Sequence, residues 1–96
     1  MMNQFLKTRR LQAVLTQQQA SALLGYQSSQ FLSNLERGLS KPPIPVLIKM
    51  CSIYGIPEEE MRSEYIRWVQ EEAARKAEQQ WTTHKASMKA SIEEKA

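Results

Sequence analysis

The sequence predicts an all-α protein of five helices, the last of them extended. Three observations carry that prediction. β-branched residues are scattered and no apolar/polar alternation runs beyond a few positions, which leaves no strand to build. Apolar residues recur at helical spacing between glycines and prolines that sit where helices stop and start. From Glu58 to Trp81 there is no glycine or proline, while Met61, Tyr65, Trp68, Val69, Ala73 and Ala77 recur every three to four residues.

Each element has its own signals. Asn3 can cap a first helix running to about Val14, with Phe5, Leu6, Arg10, Ala13 and Val14 at helical spacing. Thr16 opens the second, because Thr16 followed by Gln19 is a capping box whose hydroxyl and amide satisfy backbone groups left open at a helix start. Ala20, Leu23 and Leu24 are its apolar face, and Gly25 stops it. Ser28 caps a third helix that runs from Ser29 to Arg37 and stops at Gly38. LSKPPIP is a stiff connector, with Pro45 at the tolerated first turn of a fourth helix, Ile44 to Tyr54, closed by Gly55. Pro57 starts the fifth, where Glu58, Glu59 and Glu60 complement the positive end of the helix dipole. That helix extends about 35 Å to Trp81. Beyond it, TTHKASMKASIEEKA keeps only Met88 and Ile92 as large apolar groups and reads as frayed helix or disordered tail.

Ninety-six residues with 42% hydrophobic content suit one small globular domain. A chain of this size buries only about 60 to 65% of its unfolded surface, so a partner subunit is a natural supplement to its stability. The single Cys51 excludes an internal disulfide, and in VLIKMCSIYG it reads as a small hydrophobe. No stretch approaches the roughly 18 apolar residues of a membrane span, and MMNQFLKTRR lacks a signal-peptide core, so the expectation is a cytoplasmic protein. Charge is unevenly placed. Before Pro57 stand six basic residues (Lys7, Arg9, Arg10, Arg37, Lys41, Lys49) against the single acid Glu36, whereas residues 58–96 carry seven basic and nine acidic ones. The basic part is the one suited to a polyanion.

Two short capped helices joined through Gly25, Tyr26, Gln27 and Ser28 make a helix-turn-helix outline. The outline alone also fits a plain core hairpin. At about 100° per residue, Ser29, Gln30, Ser33, Asn34 and Arg37 fall within an arc of about 140°, and Phe31, Leu32 and Leu35 lie opposite. Solvated helix faces usually carry Lys and Glu, which are good helix formers; this one carries amides and hydroxyls. Such groups have a use in the major groove of DNA, where Gln or Asn bonds adenine N6 and N7 and Ser approaches several bases. Charge attracts phosphates without regard to sequence, while uncharged donors and acceptors tell bases apart. Arg37, Lys41, and Lys7 or Arg9 can then surround the reading face.

Leu6, Arg10, LTQQQAS (15–21), LLG (23–25), SNLERG (33–38), Pro42, Pro43 and LIKMCSIYGIP together resemble the lambda repressor and Cro type of helix-turn-helix domain, the XRE family. The resemblance runs from Leu6 to Met61. It implies a lambda-repressor-like DNA-binding domain over residues 1–60, followed by a helical extension and tail over 61–96 for dimerisation or partner binding. It also implies that Gln17 braces a phosphate and a base-reading side chain, that Ser29, Gln30, Ser33 and Asn34 read bases, and that Glu36 forms a structural ion pair with Arg10. The turn YQS before SQF is one residue longer than the tight family turn. A one-residue shift of register would make Ser28 a reader and move Phe31 toward the groove; the wheel places Phe31 with Leu35 in the core. The DNA-contacting set is thus Gln17, Ser28, Ser29, Gln30, Ser33, Asn34, Arg37 and Lys41.

Other residues carry less. His84 stands alone in a polar tail without a second ligand at metal spacing, so no metal is expected. The three consecutive glutamates point in different directions along their helix and do not make an acid/base pair. No nucleophile with a positioned base and no glycine-rich phosphate loop is present, so neither an enzyme nor a cofactor is expected. Trp68 either packs on the core or meets a partner, and Trp81 has less of the chain to pack on. A dimer interface of Met61, Tyr65, Trp68, Val69 and Trp81 is expected. The reading that follows is a dimeric repressor of transcription that binds double-stranded DNA at an inverted repeat. An antitoxin that represses its own operon while its tail folds onto a toxin, and an interaction module that keeps the fold without DNA binding, are the alternatives.

Overall fold

The computed structural model describes residues 1–95, with side chains described through residue 90. The elements are α1 (Met2–Gln12), α2 (Gln17–Leu23), α3 (Gln30–Glu36), α4 (Ile44–Tyr54) and α5 (Glu58–Lys95), and the described residues contain no strand. Contacts divide the chain into two units, Met1–Tyr65 and Ile66–Ala96.

In the first unit, α2 keeps the expected start. The Gln19 amide N–H donates to Thr16 Oγ1 at 3.0 Å and the Thr16 N–H donates to Gln19 Oε1 at 2.9 Å. α4 also has its expected bounds, with Pro45 in its first turn and Gly55 left-handed at its C-cap. α1 differs at both ends. Asn3 lies inside the helix rather than capping it, and its Nδ2 donates to the backbone carbonyl of Glu36 at 3.4 Å, tying α1 to the end of α3. Gly38, φ +75°, follows that end, and a Cβ there would stand 3.4 Å from the same Asn3 nitrogen. The left-handed φ is what favours glycine there, since a Cβ at that distance from a side chain would make ordinary contact.

α1 ends at Gln12 because Val14 adopts φ 56°, a left-handed turn that lets Leu15 N–H reach the Arg10 carbonyl at 3.3 Å. Glycine is the usual occupant of such a position, and a β-branched residue there is disfavoured by about 1 to 2 kcal/mol. Val14 is 86% exposed, so its side chain returns little packing. Val14→Gly is therefore expected to raise stability by about 0.5 to 1 kcal/mol, after allowing for the freer unfolded chain, as a higher urea midpoint at unchanged slope.

The core is formed by Met2 and Leu6 of α1, Ala20 and Leu24 from α2 and its cap, Leu32 and Leu35 of α3, Val46, Leu47, Met50, Cys51 and Tyr54 of α4, and Ile56 and Met61. The Tyr54 hydroxyl is buried with no hydrogen-bond partner among the described residues. Burial, and then the nearby Glu36 carboxylate, push its pKa up to about 12, with Arg10 acting the other way. The folded state thus holds the phenolic proton where the unfolded chain has released it, and stability falls as pH rises from 10 toward 12. Tyr54→Phe removes an unsatisfied polar group at nearly constant shape. It should gain about 1 kcal/mol at neutral pH and flatten the alkaline limb of a stability–pH curve; an unchanged limb would rule this account out.

α5 continues past Trp81 to Lys95 as one helix of 38 residues, which overturns the frayed or disordered tail. Its last third has no glycine or proline and is rich in Ala, Lys and Glu, so propensity alone favours continuation. The side chain of Ile92 and all of Ala96 lie outside the described residues.

Candidate nucleic-acid interface

α3 is fastened from behind. Leu32 and Leu35 are fully buried, and beside them Glu36 accepts two hydrogen bonds from Arg10, Nε to Oε2 at 2.7 Å and Nη2 to Oε1 at 2.9 Å. The Arg10 and Glu36 side chains are only 6% and 2% exposed. The third guanidinium nitrogen, Nη1, donates to the Leu15 carbonyl at 2.7 Å, and Gln17 Nε2 donates to Glu36 Oε1 at 3.2 Å. Hydrogen bonding to Glu36 raises the Arg10 pKa further above its ordinary value, against the effect of burial. One carboxylate therefore joins α1, the α1–α2 turn, the start of α2 and the end of α3. The Arg10–Glu36 pair expected from the family resemblance is present, and Gln17 belongs to the same network.

The opposite side of α3 carries the amides. Gln30 is exposed, and Ser29, Ser33 and Asn34 are half-buried. Gln30 Nε2 donates to Asn34 Oδ1 at 2.9 Å, one helical turn away. That bond leaves Gln30 with its carbonyl oxygen and its second N–H, the donor–acceptor couple that an adenine edge requires.

α3 starts one residue later than expected, at Gln30. Ser28 Oγ accepts the Gln30 N–H at 3.4 Å, while Ser29 occupies the cap position without a side-chain bond. The ring of Phe31 stacks on Tyr26, with centroids 4.5 Å apart and planes at 25°, and is half-buried rather than part of the deep core. This stack spans the turn from Gly25 to α3, and Tyr26 was not anticipated from the sequence. Its spacing of five from Phe31 crosses a turn, where helical periodicity gives no guide.

The basic residues separate into two groups. Arg10 is committed to Glu36, and Arg9 pairs with Glu60 and lies over the Phe5 ring. Lys7, Arg37, Lys41 and Lys49 are exposed. Among the described residues no group of three or more His, Cys, Asp or Glu is placed to hold a metal ion.

A family model described as a helix-turn-helix domain, HTH_31, matches residues 4–63. The chain belongs to that family. The helix-turn-helix domains of this XRE-like family bind DNA and are not catalytic. No curated protein and no solved structure matches the chain significantly. No helix among the described residues is long and apolar enough to cross a membrane.

On α5 the expected dimer residues separate. Met61 is 3% exposed, buried in the chain's own first unit, and is removed from the interface set. Tyr65 and Trp68, both of intermediate exposure, share its side of the helix at spacings of four and three. Val69 follows Tyr65 at a spacing of four and is 37% exposed, whereas Trp81 falls on the other side of the helix and is 73% exposed. A single contact surface does not hold all five.

Proposed function

We propose that this helix-turn-helix protein is a sequence-specific transcriptional repressor that reads double-stranded DNA with the exposed side of α3. The observation that carries the reading is the Gln30–Asn34 amide pair, aligned by its own hydrogen bond on a helix whose other side is clamped by Arg10 and Glu36. A preorganised amide loses less side-chain freedom on binding, and its remaining donor and acceptor suit adenine in the major groove. Ser29 and Ser33 flank that pair as further readers, with Ser28 and Gln17 at its border. Arg37 and Lys41 supply positive charge for the phosphates.

A symmetric dimer would engage two half-sites, about 34 Å apart in successive major grooves, and convert weak single-unit affinity into useful affinity. Selection of bound duplexes from a random pool tests the reading. An enriched inverted repeat containing adenines at equivalent positions is the expected result. Recovery of no preferred sequence, or affinity that does not fall as salt rises, would count against it.

A further inference from the structure

Beside the amide face of α3 lies an aromatic pair, Tyr26 and Phe31, that stays out of the deep core. Leu32 and Leu35 are 0% and 2% exposed, whereas both aromatic residues are half-buried and keep part of their surface in solvent. The pair is built rather than loose. At the end of α2 the Gly25 N–H donates to the Ala22 carbonyl at 3.0 Å and the Tyr26 N–H to the Ser21 carbonyl at 2.9 Å, an arrangement that the left-handed Gly25 (φ +93°) permits. Tyr26 is thereby fixed at its backbone, and its ring covers one face of Phe31, with centroids 4.5 Å apart and planes at 25°. At about 100° per residue, Phe31 stands about 60° from Asn34 and about 40° from Leu35, on the border between amide face and core.

An A·T pair shows two kinds of group in the major groove: N7 and N6–H of adenine, which suit an amide, and the 5-methyl group of thymine across the pair, which suits an apolar side chain. Amides bordered by a preset aromatic edge match both. We propose that Phe31 contacts the 5-methyl group of a thymine in the operator and that Tyr26 is the positioning residue that holds its ring. The proposal rests on the DNA reading by α3 proposed above. A ring immobilised before binding loses less freedom when it meets the base, which is what the stack contributes.

Deoxyuridine tests the contact, because it keeps the pairing with adenine and removes only the methyl group. Each thymine of the preferred duplex is replaced in turn, and binding of the full-length protein is titrated. At least one replacement should weaken binding about fourfold, the effect of withdrawing one buried group of methylene size. Phe31→Ala should bind the thymine and deoxyuridine duplexes alike while still preferring both to unrelated DNA. An equal loss on both duplexes, with the fourfold gap kept, would make Phe31 a packing residue and overturn the proposal. Tyr26→Ala lies outside α3 and supplies a second variant, in which the gap should narrow; an unchanged gap would overturn the positioning role. Indifference of the unaltered protein to every replacement would overturn the methyl contact and leave the amide reading standing, whereas recovery of no preferred duplex would sink that reading and the contact with it.

Discussion

Glu36→Ala is expected to lower the stability of the helix-turn-helix unit by about 3 to 5 kcal/mol, as a fall in urea midpoint at unchanged slope. The loss exceeds that of an ordinary polar contact because of what the substitution leaves behind. Arg10 stays charged at all accessible pH values and keeps its place between α1 and the core, now with two donors unpaired. Gln17 loses its acceptor as well. Small domains have about 5 to 15 kcal/mol of total stability, so a substantial unfolded population should follow. Replacing both partners, as in Arg10→Met with Glu36→Leu, should recover most of the loss, because the desolvation cost of the charges disappears with them. A single variant with the midpoint of the parent would show that the pair is not the clamp described here.

Gln30→Ala is expected to weaken binding to the preferred duplex by about 1 to 3 kcal/mol and to leave binding to unrelated duplex nearly unchanged. Asn34→Ala should cost a similar amount, and the double variant should cost less than the sum, because Asn34 acts partly by holding Gln30 in place. Arg37→Ala offers the contrast: a similar loss on every sequence and a shallower dependence on salt. Titration of the four proteins against both duplexes at two salt concentrations separates these outcomes. Equal losses on preferred and unrelated DNA for Gln30→Ala would remove it from the reading set.

Much of the fold is written in local signals. The Thr16–Gln19 box, the glycines after α2, α3 and α4, and Pro45 act within a few residues of the backbone groups they serve, so their positions in the chain suffice to place helix ends. The two faces of α3 are legible for the same reason, since periodicity assigns Leu32 and Leu35 to one side and Gln30 to the other. Interactions between distant residues leave no such mark. Arg9 and Glu60 are 51 positions apart, and nothing near either indicates that a basic residue on α1 is spent on the start of α5. Val14 illustrates a different failure. Its apolar character continues the helical pattern of α1, but the chain leaves the helix there through a left-handed backbone that lets the Leu15 N–H reach the Arg10 carbonyl, a conformation the residue type does not signal. α5 misleads because one apolar series runs along two sides, with Met61 buried by the chain itself and Trp81 left in water.

Among the described residues the side chains of Gln30 and Asn34 hydrogen-bond to each other, whereas Leu32, Leu35 and Glu36 tie the helix to the rest of the first unit. On the DNA reading proposed for α3, folding and recognition would fall to different residues of one seven-residue helix. Exchanging Gln30, Ser33 and Asn34 should redirect the protein to another operator at little cost to its stability. A lineage built on this chain could acquire new targets by point substitution, with no need to rebuild the scaffold each time.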